Sequence, residues 1–225
     1  MLAKKSVKVF IVLFTIIFCN FAQANYEHNK HYESNFLEVA LKIAGYITNI
    51  KTAAIEFTQQ DSDGNIAKGM LLVDKPYKFR CNYYEPFPLL IVGNKNYISV
   101  YDYEMKYVAR IKTSENAFNF LLLDQADFQD QFEILHIKNH EGEYIVKLQN
   151  NIDDKISEIV FDKNFEQLKK LTIYEEDHHI ILTFDKTFIL AAMPQSLFIL
   201  QNPDIFGEPD RFSQADLYKK LKIAK

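Results

Sequence analysis

The chain has 225 residues, 48% hydrophobic and 25% charged, the balance of a globular protein and not of a disordered one. Six glycines and six prolines exclude a collagenous or low-complexity chain, and two cysteines exclude a disulfide scaffold. Lysine and arginine total 26 against 30 acids, and this net charge of −4 argues against a general nucleic-acid binder.

Residues 1–24 read as a secretory signal peptide. Lys4, Lys5 and Lys8 form a positive n-region, and Val9 to Phe18 is an apolar run broken only by Thr15. Ala22-Gln23-Ala24 then supplies the small residues of a cleavage site. Two alternatives compete. A membrane anchor needs roughly 20 apolar residues, about twice this run. A lipoprotein signal at Cys19 would need a small residue where bulky Phe18 stands. Cleavage after Ala24 leaves 201 residues, a net charge of −7 and one cysteine, Cys81. An exported chain with a lone cysteine depends on packing for its stability.

Residues 25–33 are polar. Ser34 or Asn35 can cap a helix, with Glu38 completing a capping box. Leu37, Leu41, Ala44 and Ile47 then recur at helical spacing, with Phe36, Ala40 and Ile43 beside them. So wide an apolar face must lie against a large apolar surface. From Lys51 to Lys112 the period changes to two. Ile55 and Phe57 alternate with polar neighbours, and Asp61 to Asn65 is turn chemistry. Strands are predicted at Met70–Val73, Lys78–Tyr84, Leu89–Val92, Tyr97–Tyr101 and Tyr107–Ile111, punctuated by Lys75-Pro76, Glu85-Pro86 and Gly93-Asn94-Lys95.

Ser114 to Asp130 loses the alternation and predicts one or two short helices. Strands resume at Phe132–Lys138, Tyr144–Leu148, Ile156–Phe161, Leu168–Tyr174 and Ile180–Phe184. Ser213 to Lys225 predicts a terminal amphipathic helix. The pattern is mainly β: about eleven strands in one antiparallel sheet, in a single domain over residues 25–225. A sheet that long must curl or close to protect its edges.

Chemical motifs are sparse. Asp61-x-Asp63-Gly64-Asn65 resembles the start of a calcium loop, but its twelfth position is Leu72 where a bidentate Glu is needed, so a hairpin turn fits better. His136 with His140, and His178 with His179, lack a neighbouring third ligand, so no metal site is assigned. No phosphate loop, nucleophile elbow or His-Glu-x-x-His motif occurs, and the chain reads as a non-enzyme with no cofactor. In Lys78–Tyr84, Phe79, Cys81 and Tyr83 share one face and Lys78, Arg80 and Asn82 the other. Such a sheet roofed by helices either packs solid or leaves a cavity for a hydrophobic ligand.

Residues 69–92, GMLLVDKPYKFRCNYYEPFPLLIV, resemble the core signature of the periplasmic lipoprotein carrier family, LolA. The pattern is a strand starting with Gly, a basic residue before Pro, Lys/Arg-Phe-Arg-aromatic, Pro, and an apolar strand. Asn49 to Gln60, Tyr97 to Asp102 and Phe198 to Gly207 are similar to flanking family segments, giving coverage of residues 35–207. Two positions depart: the basic residue, usually Arg, is Lys75, and the expected aromatic is Cys81.

The resemblance implies a half-open, incomplete antiparallel β-barrel with a helical lid. It implies a monomeric periplasmic chaperone that holds lipoprotein acyl chains, receives them from an inner-membrane ABC transporter and passes them to an outer-membrane receptor. On this reading Phe57, Phe79, Tyr83, Leu90 and Val92 form the cavity wall. Phe118, Phe120, Leu121 and Leu122 form the lid, and Lys75 is the latch. Lysine lacks the planar fork of arginine, so its latch should be weaker or differently made. The alternative is a related barrel that binds other lipids or senses envelope stress.

Overall fold

The computed structural model describes residues 36–112, 119–123, 125–175 and 178–223. The signal-peptide reading, the polar stretch to residue 33 and the cap at Ser34 or Asn35 lie outside the described residues. The chain divides after Lys42 into two compact units. Helix α1 runs over residues 36–49. In its first part Glu38 and Lys42 pair at 2.7 Å, while Leu37 and Leu41 are exposed. In its second part Ile43 and Ile47 are fully buried. Of the stripe Leu37, Leu41, Ala44 and Ile47, only Ala44 and Ile47 are buried, together with Ile43 beside them.

The second unit carries one sheet of eleven antiparallel strands: β1 (Thr52–Asp61), β2 (Ile66–Asp74), β3 (Lys78–Tyr83), β4 (Leu89–Gly93), β5 (Tyr97–Asp102), β6 (Tyr107–Lys112), β7 (Phe132–His140), β8 (Glu143–Asn150), β9 (Ile156–Asp162), β10 (Leu168–Glu175) and β11 (His178–Ile189). Their order is β6-β5-β4-β3-β2-β1-β11-β10-β9-β8-β7, so β1 meets β11 in the middle and β6 and β7 remain edges. The barrel is thus left open, as expected. Short helices α2 (Asn119–Leu122) and α3 (Gln125–Gln131) join its two halves.

Asp61 builds the first hairpin turn. Its Oδ1 accepts from the backbone N–H groups of Asp63 and Asn65 at 3.0 and 2.9 Å, and Gly64 takes φ +83°. These bonds belong to a turn, as the sequence reading preferred. Strand β11 runs five residues past its predicted end. A bulge opposite Glu56 and Phe57 breaks the alternation at Asp185, which hid the continuation through Phe188.

Antiparallel register assigns every side chain in the first half-sheet to a face. Ala53, Ile55 and Phe57 of β1 share one face with Leu71, Val73, Phe79 and Cys81, here called the lid face. Ala54 and Glu56 share the other with Met70, Leu72, Arg80, Asn82, Leu90 and Val92. Residues 190–223 lie over this second face as a strap. Met193, Leu197, Phe198 and Leu217 of the strap form one cluster with Ala54, Met70 and Leu72. The strap contains a 3-10 turn (Gln195–Phe198), α4 (Pro203–Phe206) and the terminal helix α5 (Gln214–Leu221), which Ser213 and Asp216 begin with a full capping box.

Glycine sits where aromatic rings cross the lid face. Phe57 pairs with Gly69 and Phe79 with Gly93. A Cβ at Gly93 would stand 1.8 Å from the Phe79 ring, so Gly93→Ala should cost about 1–3 kcal/mol by overpacking. Gly45 in α1 has nothing within 4 Å of such a Cβ, so Gly45→Ala should add about 0.5–1 kcal/mol through helix propensity. Urea midpoints of the two variants should move in opposite directions from wild type.

Candidate functional site

Alternation on β1, β2 and β3 puts a continuous apolar surface on the lid face: Ala53, Ile55, Phe57, Leu71, Val73, Phe79 and Cys81 are each at most 2% exposed. The surface continues across β11, β10 and β9 through Phe184, Leu182, Leu171, Ile159 and Phe161. Tyr46 of α1 meets the Phe161 ring edge-on at 5.0 Å, and its hydroxyl accepts from the Leu168 N–H at 3.1 Å. Tyr46 is half-buried, whereas Ile43, Ile47 and Ile50 are buried, as are Leu121, Leu122 and Leu123 at the end of α2.

One side chain ties these two helices together. Lys75 follows Leu71 and Val73 in the same parity, and its Nζ donates to the Ile47 carbonyl at 2.5 Å and the Leu123 carbonyl at 3.0 Å. Both acceptors belong to helix C-terminal ends, where carbonyls lack intrahelical partners and the helix dipole is negative. A compact ammonium with three donors suits two divergent carbonyls without a planar fork. Tyr77, two residues on, adds to this link. Its N–H donates to the Leu122 carbonyl at 3.2 Å, and its hydroxyl bonds the carboxylate of Asp127 in α3.

Phe57, Phe79 and Tyr83 fall together on the lid face. The Phe57 and Tyr83 rings meet edge-on at 5.2 Å across Gly69, and the Tyr83 hydroxyl donates to Gln59 at 2.8 Å. Leu121 and Leu122 are fully buried in α2. Phe118 lies outside the described residues, as does the side chain of Phe120.

Leu90 and Val92 require a correction. Register pairs them with Asn82 and Arg80, so they face the strap and pack with Tyr101 and Leu200 instead of sharing a wall with Phe79. The parity of β4 relative to β3 depends on the length of the intervening turn, which the sequence pattern does not fix. Arg80 and Asn82, read as the polar face of their strand, are only 4% exposed because the strap covers them. Sequence reasoning also missed Tyr46 and Tyr77, each of which pairs an apolar ring with a hydrogen-bonding tip.

Among the described residues no group of three His, Cys, Asp or Glu is placed to hold a metal ion. None of their helices is long and apolar enough to cross a membrane.

An open antiparallel sheet with one apolar face roofed by short helices is the architecture of a lipid-binding carrier fold. The model of the outer membrane lipoprotein carrier protein LolA matches residues 48–201, and the chain belongs to that family. It is 41% identical over 217 residues to an uncharacterised protein of Rickettsia prowazekii (strain Madrid E), spanning 96% of this chain and 99% of the relative. Among solved structures it resembles the LolA superfamily protein NE2245 from Nitrosomonas europaea, with TM-score 0.45 and 10% identity over 72% of this chain and 97% of that one. It also resembles LprF from Mycobacterium bovis, with TM-score 0.37 and 7% identity over 70% and 94%.

Cys81 is fully buried on the lid face. Burial pushes its thiol far above the ordinary cysteine range, so it should resist alkylation in the folded protein. Removing the Lys75 charge deletes two charge-assisted hydrogen bonds of about 1.5–3 kcal/mol each. Lys75→Gln should therefore raise the rate of Cys81 labelling at pH 8 by at least about tenfold. An unchanged labelling rate would mean that other contacts hold the lid.

Proposed function

We propose that this chain is a periplasmic carrier that shelters lipoprotein acyl chains against its lid face and moves them from the inner to the outer membrane. The observation that carries this reading is the tie made by Lys75: one ammonium joins the ends of α1 and α2 beside a continuous apolar surface. Membership of the LolA family and the signal-peptide reading of residues 1–24 support it.

The energetics suit a reversible lid. Closed, the face is covered by the protein's own Ile43, Ile47, Leu121 and Leu122. An acyl chain gains about 0.8 kcal/mol per buried methylene, so a handful of methylenes offsets the loss of two lysine hydrogen bonds. Chain insertion and lid closure then compete for one surface, and cargo leaves when a receptor offers it a better one. The donor is an inner-membrane ABC transporter and the acceptor an outer-membrane receptor. The exported chain's net charge of −7 favours docking on basic partner surfaces, at rates that fall with salt.

The test is release of a triacylated lipoprotein from proteoliposomes that contain its ABC transporter. Wild-type protein should bring the lipoprotein into the supernatant as a soluble complex. Lys75→Gln, whose lid competes less well, should bind cargo as readily but hand it to receptor vesicles at least about tenfold more slowly. Lipoprotein that stays in the vesicle pellet with wild-type protein present would end the proposal.

A further inference from the structure

A cavity of about 350 Å³ lies on the strap face, on the opposite side of the sheet from the lid. That size falls in the range of small-molecule sites. More than half of its lining residues, from Phe206 to Lys220, lie beyond the segment matched by the family model. The chemistry of this cavity therefore comes largely from outside the matched segment.

Arg80 forms the cavity's inner end. It is 4% exposed, and every acceptor it meets is neutral: Nε donates to Asn82 Oδ1 at 3.0 Å, Nη1 to the Leu197 carbonyl at 3.2 Å and Nη2 to the Asp210 carbonyl at 3.4 Å. A guanidinium carries five N–H donors, so one on each Nη is left without an acceptor among the described residues. A buried cation with unfilled donors is costly, and the nearby Asp210 charge offsets this only in part. Burial indeed lowers the Arg80 pKa.

Lys220 supplies a second positive charge. Its Nζ stands 4.5 Å from the centre of the Phe212 ring, and the Arg80 Cζ stands 4.9 Å from the same centre. Two acids also line the space. Glu208 is held by Lys106 at 2.7 Å, which leaves Arg80 and Lys220 facing Asp210 with one positive charge in excess. Ser196 and Gln201 contribute uncharged polar groups, and Ile199 and Phe206 form an exposed apolar rim.

We propose that this cavity binds a small oxyanion, a carboxylate or a phosphate on a short apolar stem. The oxyanion lies between Arg80 and Lys220, and the stem against Phe206 and Ile199. Arginine's spare Nη donors match either oxyanion in geometry and charge. The site is separate from the acyl-chain surface, since the sheet stands between them.

The test is an amide NMR titration of the full chain with butyrate, butyl phosphate and, as a neutral control, butanol. These stems are too short to hold the lid face open. Saturable shifts at Ser196, Gln201, Gly207 and Phe212, without shifts at Val73 and Cys81, are expected for the anions alone. The anion with the lower dissociation constant identifies the preferred head group. Arg80 also anchors the strap, so the variant used is Lys220→Glu, whose side chain is exposed. It should weaken anion binding at least about tenfold while leaving the other amide signals in place. Absence of saturable shifts up to about 10 mM, equal shifts with butanol, or unchanged affinity in Lys220→Glu would each overturn the proposal.

Discussion

Lys75 places one positive charge against the carbonyl ends of two helices, and the closed form of the site depends on that contact. Without a cation there, Ile47 and Leu123 would present carbonyls with no charged donor, beside an apolar sheet face that water does not wet well. Hydrophobic burial holds α1 and α2 down without direction. The lysine gives the arrangement its register, and Tyr77 extends it to α3. A single ammonium on a flexible stem is a moderate tie. On the proposed carrier reading, a few methylenes of cargo would compete with it.

The two faces of the half-sheet carry opposite designs. The lid face is apolar almost throughout, with glycine beneath the Phe57 and Phe79 rings so that aromatic surface lies flat on the strands. The strap face mixes apolar packing with polar anchors. Glu56 accepts from Gln214 and from the Tyr218 hydroxyl, Asp74 accepts from Gln195, and Arg80 donates to two strap carbonyls. The helices on the lid face are tied by directional bonds too, from Lys75, Tyr77 and Tyr46, so the two covers differ in the chemistry of the surface beneath them.

Much of the fold was legible because alternation and turn residues are strong local signals. The strands, the open antiparallel sheet, the short helices between its halves and the capped terminal helix at Ser213 all follow from period and punctuation. What was not legible came from register. Leu90 and Val92 alternate as convincingly as Phe79 and Cys81, but which side of the sheet they occupy is decided by how β4 pairs with β3. Arg80 looked like a solvent-facing residue because no local pattern announces that a strap more than a hundred residues later will cover it. The bulge at Asp185 shortened β11 in the sequence for the same reason, since it breaks the very period that marks a strand. Only the family resemblance singled out Lys75, which bonds two helix-end carbonyls; its neighbour Tyr77 had no signal at all.

The central claim is that acyl chains and the lid compete for one face of the sheet. Photo-crosslinking measures this directly. A triacylated peptide bearing a diazirine along one acyl chain is bound to the full chain, irradiated, and the adducts mapped by mass spectrometry. The account predicts adducts at lid-face positions such as Phe57, Leu71, Phe79 and Cys81, and none at Met70, Leu72 or Leu90, their neighbours on the strap face. Adducts concentrated on the strap-face residues, or none on the sheet, would contradict it.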